Sequence, residues 1–392
     1  MNSFNDEMLL DEDEIGIEED DDLNFSNTEM FSKAVIWGTD WTAETIINQL
    51  NKKNIKIDPN FQRRDAWNAN QKSLFIESLI LGIPVPPIIL AEKKEQKNSF
   101  IVIDGKQRLL SLIQFSANDD SDFEQLKLSK LKILKELNGL SYSDIEKKSD
   151  LYDYQTQFDN QTIRTVVIRN WQNEDYLYTI FHRLNTGSMK LNSQELRQAL
   201  YPGDFVYYAD DFSIQSTQLQ SILKNKQPDK RMRDIELLLR YFAFKKFIAS
   251  YDGNLKDILD KTWKNLNDNW ESDKENIKKE AEELNNAIDF VFEIFGEKSA
   301  FSKYLNGEFK NSLNRGVFDI MVYYFSQNDI RIKLENKKND VKALFIQLCE
   351  KPKFLRTIEY SVKGLEQVRT RFDFWREGLS GLLGEELHKI WD

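Results

Sequence analysis

Cysteine is nearly absent from this chain of 392 residues. Cys349 is the one thiol, which excludes an internal disulfide and suits a reducing compartment. Histidine is almost as scarce, at two: His182 and His388. No apolar run approaches the ~20 residues that a membrane-spanning helix needs. The first residues lack the basic and apolar regions of a secretory signal. These absences point to a soluble cytoplasmic protein with no membrane partner. Zinc-ligand spacing, a GxxxxGK(S/T) phosphate loop and internal repeats are missing too.

Apolar residues are not scarce. They make up 40% of the chain, with 12% aromatic, ample for a sizeable core. At about 150 residues per domain, the length suggests two domains. The net charge of −11 is concentrated at one end. Residues 1–22 hold eleven acidic side chains and no Lys or Arg, which leaves 54 acidic against 54 basic side chains in the rest. A self-repelling stretch so poor in apolar residues predicts a disordered acidic tail over residues 1–30. Such a tail either solubilises the chain, or mimics nucleic acid against a basic groove or a partner.

The stretch with most chemistry is Ser99 to Ser116, SFIVIDGKQRLLSLIQFS. Phe100 to Ile103 is a short apolar run rich in β-branched residues, the pattern of a buried strand. Asp104-Gly105 breaks it. From Lys106 onward Leu109, Leu110, Leu112, Ile113 and Phe115 recur with helical spacing. A strand, a tight turn and a helix therefore follow one another. The free N–H groups at a helix start favour an anion such as phosphate, and Lys106 and Arg108 add cations in the first turn. The plainer alternative is that Asp104 caps the helix and Gly105 merely turns the chain.

Around this unit the pattern predicts a helix over Trp41 to Leu50, capped by Asp40 or Thr42, and a strand at Ile55 to Ile57. A loop follows over Asp58 to Trp67. A helix runs from Ala69 to Leu81 with Gly82 as its stop, and a strand from Pro87 to Ala91. Residues 117–160 read as a polar, mostly helical insert. Thr162 to Arg169 reads as a strand and Glu174 to Leu184 as an amphipathic helix. A helix follows Asn185-Thr186-Gly187-Ser188, with Asn192 and Glu195 spaced as a capping box. Beyond residue 210 only helices are expected. Arg369, Arg371 and Arg376, beside Phe372 and Trp375, form either a basic stripe for DNA or an ordinary amphipathic helix.

Gln62-Arg63 with Trp67, then IPVPPIIL, then Ile103-Asp104-Gly105-Lys106-Gln107-Arg108-Leu109, then Phe181-His182-Arg183-Leu184-Asn185-Thr186-Gly187 with Leu191 and Gln194-Glu195-Leu196-Arg197, stand in a distinctive order. This order resembles the N-terminal domain family of GmrSD-type type IV restriction enzymes, which is similar to the ParB and sulfiredoxin-like fold. The likeness covers about residues 35–200. One departure is Lys106, where many members place Gln.

The resemblance implies an α+β domain with a small mixed sheet over residues 31–209, followed by an all-helical domain over 210–392. It implies nucleotide binding and hydrolysis coupled to a nuclease in phage defence, with DNA as a partner and oligomers possible. In many relatives the nuclease is a fused or separately encoded His-Asn-His domain. Such a centre needs a His base with further ligands nearby, and the two histidines here do not supply it. The chain therefore reads as a nucleotide-handling subunit that gates a separate nuclease. The alternative is a DNA-binding or scaffold module that uses nucleotide as a switch without turnover.

Phosphoryl transfer requires charge neutralisation, a held water and usually Mg²⁺. Arg63, Lys106, Arg108 and Arg183 are the candidate phosphate clamps, since guanidinium forks match phosphate oxygens. Asp104 is the candidate for Mg²⁺ or for orienting the attacking water. Gln62 and Gln107 can position water or a base edge. Gly105, Asn185, Thr186 and Gly187 let backbone approach a ribose or phosphate. Asp104, Arg108 and Gln107 are thus the expected catalytic residues, with an NTP as substrate or ligand.

Overall fold

The computed structural model describes residues 34–57, 67–184, 193–225, 227–360 and 362–391, excepting the side chains of 181–184. The expected acidic tail and the loop with Gln62 and Arg63 lie outside these residues, as do Asn185, Thr186 and Gly187. The chain divides into two compact units after Leu200.

The first unit is built on β1 (Val35–Thr42), α1 (Ala43–Asn51), α2 (Ala69–Ile80), β2 (Ile88–Glu92), β3 (Phe100–Asp104), α3 (Lys106–Phe115), α4 (Tyr142–Glu146), α5 (Tyr152–Asn160), β4 (Thr162–Arg169), α6 (Glu174–Leu184) and α7 (Ser193–Leu200). Its strands form one mixed sheet in the order β1-β4-β2-β3. β2 runs parallel to β4, in the register Ile88 to Thr165 and Leu90 to Val167. The outer pairs, β1 with β4 and β2 with β3, are antiparallel. Pro84, Pro86 and Pro87 have no N–H to give a ladder, so pairing begins at Ile88.

Both faces of this sheet are covered, which is why β2 and β3 are unbroken apolar runs. Ile88, Leu90, Phe100 and Val102 pack with residues of α1, α2 and α3 on one face. Ile89, Ala91, Ile101 and Ile103 pack with Tyr176, Leu177 and Leu196 of α6 and α7 on the other.

Several expectations need correction. Trp41 belongs to β1 and not to a helix; α1 starts at Ala43, with the Thr42 side chain accepting the Thr45 N–H. β1 escaped the pattern because it is an edge strand with Val35, Ile36 and Trp37 exposed. Ile55 to Ile57 forms no strand, only a bridge from Ile55 to Phe100. The insert is helical only in α4, α5 and single 3-10 turns at Lys135–Leu137 and Ser149–Leu151. The reason is Glu77 of α2. Its buried carboxylate accepts the Ile133 and Leu134 N–H groups at 2.8 Å each, holding that stretch irregular despite its helical periodicity.

The second unit comprises α8 (Asp204–Gln215), α9 (Thr217–Ile222), α10 (Arg233–Phe247), α11 (Leu255–Asp268), α12 (Trp270–Phe295), α13 (Arg315–Phe325), α14 (Asn328–Leu334), α15 (Lys338–Cys349), α16 (Pro352–Glu359) and α17 (Leu365–Leu383). A hairpin of two-residue strands, β5 (Tyr304–Leu305) and β6 (Glu308–Phe309), interrupts the expected all-helical pattern. Trp263, fully buried, packs edge-on against Phe205 and donates to the Tyr201 carbonyl at 2.9 Å.

Buried charge ties α10, α13 and α17 together. Asp319 accepts from Arg240 at 2.7 Å and from Arg371 at 3.2 Å, with all three side chains almost wholly enclosed. Of the two readings of Arg369, Arg371 and Arg376, burial supports the amphipathic helix: Arg371 is fully buried in this cluster, and Arg376 is 6% exposed.

Candidate functional site

The turn between β3 and α3 is built around Gly105. Its φ of +98° lies in the left-handed region, which L side chains rarely adopt. A Cβ at this position would lie 3.1 Å from Ile88 Cγ1 and 3.2 Å from Arg108 Nε. The glycine thus gives both the turn and the room into which the Arg108 side chain folds back. Gly105 is also the N-cap of α3, and no side chain caps that helix. The capping reading of Asp104 is therefore corrected.

Asp104 instead pairs with Arg108 one helical turn on, its Oδ2 accepting from Nη2 at 2.7 Å. The Asp104 side chain keeps 23% exposure, whereas Arg108 is 7% exposed. Arg108 Nε is buried without a hydrogen-bond partner among the described residues. A buried N–H of a cation left unpaired is costly in a folded protein. Here it sits at an uncapped helix start, where the backbone N–H groups and the helix dipole already favour negative charge.

Gln107 has a local duty. Its Oε1 accepts the Trp67 N–H at 3.2 Å, and Trp67 packs edge-on against Phe75 of α2. Trp67 is thereby held to the first turn of α3. Lys106 approaches Glu195 of α7 at 4.0 Å, both side chains largely buried. This contact brings α7 to the helix start. The backbone of Arg183 lies in α6 and its side chain lies outside the described residues, as does that of His182.

The expected site residues that the structure describes, Asp104, Gly105, Lys106, Gln107 and Arg108, occupy one turn. α7 meets this turn through Glu195, which sequence reasoning assigned to a motif but not to the site. Gln194, Arg197 and Gln198 are buried on this short helix, and Arg197 Nη1 donates to Gln194 Oε1 at 2.7 Å. Gln194 Nε2 and Gln198 Oε1 have no partner among the described residues. The signal was present: positions 194, 197 and 198 have the i, i+3, i+4 spacing of an inward face, yet all three are polar.

Among the described residues no group of three or more His, Cys, Asp or Glu side chains is arranged to hold a metal ion. No helix among them is long and apolar enough to cross a membrane. Asp104 can offer a metal one carboxylate, partly exposed and already hydrogen-bonded to Arg108. Such a site suits Mg²⁺ only if a ligand's own phosphates complete its oxygen shell.

Neither a curated protein nor a solved structure matches the chain. The model of one family, described as GmrSD restriction endonuclease, N-terminal domain, matches residues 44–202. That span includes the Gly105 turn, the α3 start and α7. Over residues 44–202 the chain is therefore similar to GmrSD restriction endonuclease N-terminal domains, a likeness that points to restriction-type defence.

Proposed function

We propose that this domain binds a nucleoside triphosphate at the β3–α3 turn and hydrolyses its phosphoanhydride bond, gating a separate nuclease. One observation carries the reading most strongly. Arg108 lies buried at an uncapped helix start with its Nε unpartnered, while its Nη2 is held by Asp104. A phosphate oxygen there meets the guanidinium and the first backbone N–H groups of α3 together, as charge-assisted hydrogen bonding favours.

In this reading Arg108 and Lys106 hold phosphate oxygens, with Arg63 and Arg183 proposed as further clamps. Asp104 orients the attacking water or, with the nucleotide's phosphates, holds Mg²⁺, which would neutralise charge on the transferring group. Gln107 keeps Trp67 at the site. Asn185, Thr186 and Gly187 contact ribose or phosphate.

The test is a hydrolysis screen of the common NTPs, with and without DNA, using wild type and Asp104→Ala. Release of phosphate by the wild type alone supports the reading. Nucleotide binding with no turnover would favour a switch without hydrolysis, and no binding at all would sink both. Purified alone, the chain should leave plasmid DNA uncut in Mg²⁺ or Mn²⁺, cleavage appearing only with a partner nuclease.

A further inference from the structure

The second unit has a cavity of about 660 Å³ between α16 and α17. Lys353, Arg356 and Tyr360 line it from the α16 side, and Glu366, Gln367 and Thr370 from α17. We propose that this cavity binds unpaired, single-stranded nucleic acid. Lys353 and Arg356 lie three residues apart, on one face of α16, so both reach the same wall. Neither has an ion-pair or hydrogen-bond partner for its side chain among the described residues. Cations nearby behave differently: Lys303 is paired to Glu359 at 2.9 Å and Arg371 to Asp319 at 3.2 Å. The pairing of Glu359 also offsets the carboxylate closest in sequence to this wall.

Tyr360, immediately after α16, is 70% exposed in a unit whose aromatic residues are mostly enclosed. Two unpaired cations beside an open aromatic ring are the elements of a strand-binding groove, where cations follow the phosphates and a base stacks on the ring. In a duplex the base faces are already covered, so the ring selects an unpaired strand. Gln367 and Thr370 face the same space with amide and hydroxyl groups that can meet base edges. Glu366 is the single carboxylate among these residues and disfavours an anion beside it, leaving the α16 side as the phosphate track. The volume lies within the ~300–1,000 Å³ of small-ligand sites, room for a short stretch of strand and not for a protein domain. This site is independent of the nucleotide reading at the β3–α3 turn.

Anisotropy of a labelled oligothymidine, titrated with the full chain over a salt series, tests the proposal. Lys353→Glu with Arg356→Glu should weaken binding at least tenfold. The slope of log affinity against log salt should fall by about 1.4, since each lost phosphate contact on a single strand removes about 0.7. Tyr360→Ala should weaken binding about fivefold or more, the loss of one stacked base, with little effect on the salt slope. A duplex should bind more weakly than the strand. Circular dichroism and an unchanged melting temperature show that each variant is folded, and Lys353→Ala with Arg356→Ala serves if charge reversal unfolds the unit. No strand binding by the wild type overturns the proposal, as does equal affinity of the folded variants and wild type. So does a charge-reversed variant that loses a peptide of residues 1–22 yet keeps the strand.

Discussion

Arg108 reaches back across one turn of α3 to Asp104 at 2.7 Å, and in doing so leaves its own Nε buried and unpartnered. The two residues should fail differently. Arg108→Ala should weaken nucleotide affinity, since the guanidinium is the proposed phosphate clamp. Asp104→Asn should keep nucleotide affinity within a few-fold but abolish turnover. Asp104→Ala should in addition lower the melting temperature, because it strands a largely buried cation. Parallel binding, hydrolysis and melting measurements separate the three outcomes. Equal loss of fold in all variants would reduce the pair to a structural role.

Gly105→Ala should destabilise the first unit by about 1–2 kcal/mol, the cost of left-handed backbone for a residue with a Cβ. The new methyl would also press on Arg108, 3.2 Å from Nε. Nucleotide affinity should therefore fall further than stability alone explains, which isothermal titration beside a urea melt would show.

Asp319→Ala should be the more damaging change in the second unit. It leaves Arg240 and Arg371 enclosed without their shared carboxylate, at a cost of about 3–5 kcal/mol. The denaturant midpoint should drop accordingly. Arg369→Ala, on the same helix but outside that cluster, should leave the midpoint within about 0.5 kcal/mol of wild type.

Burial pushes the Cys349 thiol from its ordinary 9.0 up to about 11. The unfolded chain therefore releases this proton at lower pH than the folded one. Cys349 should favour the folded state less as pH rises from about 9 to 11. At pH 8 iodoacetamide should label the native protein at most slowly, and denaturant should restore ordinary thiol reactivity. Rapid labelling without denaturant would contradict the enclosed position.

A chain beginning at Glu29 should keep the melting temperature of the full chain. Residues 1–22 have too little apolar content to offset the entropy of ordering them. A large drop on truncation, read by scanning calorimetry, would show that this stretch packs as structure.

Local pattern alone carried the centre of the first unit. β3, the Asp104-Gly105 turn, α3, β4 and α6 were legible because apolar runs, a turn dipeptide and helical spacing act over a few residues. The motif order also pointed to the domain family before any fold was known. Tertiary structure decided what those residues do. Asp104 pairs with Arg108 and not with the helix start because Gly105 is left-handed and the Arg108 side chain folds back over it. β1 is a strand although half polar, since an edge needs only one partner, β4. The insert after α3 has a helical period, yet Glu77, more than fifty residues earlier, takes its N–H groups. Sequence alone left Arg371 between a surface stripe and an amphipathic helix, and Asp319 holds it inside. Apart from β1, these reversals share one physical cause: a buried charge or a free backbone N–H is satisfied by whichever partner the fold brings close, and sequence distance does not measure that.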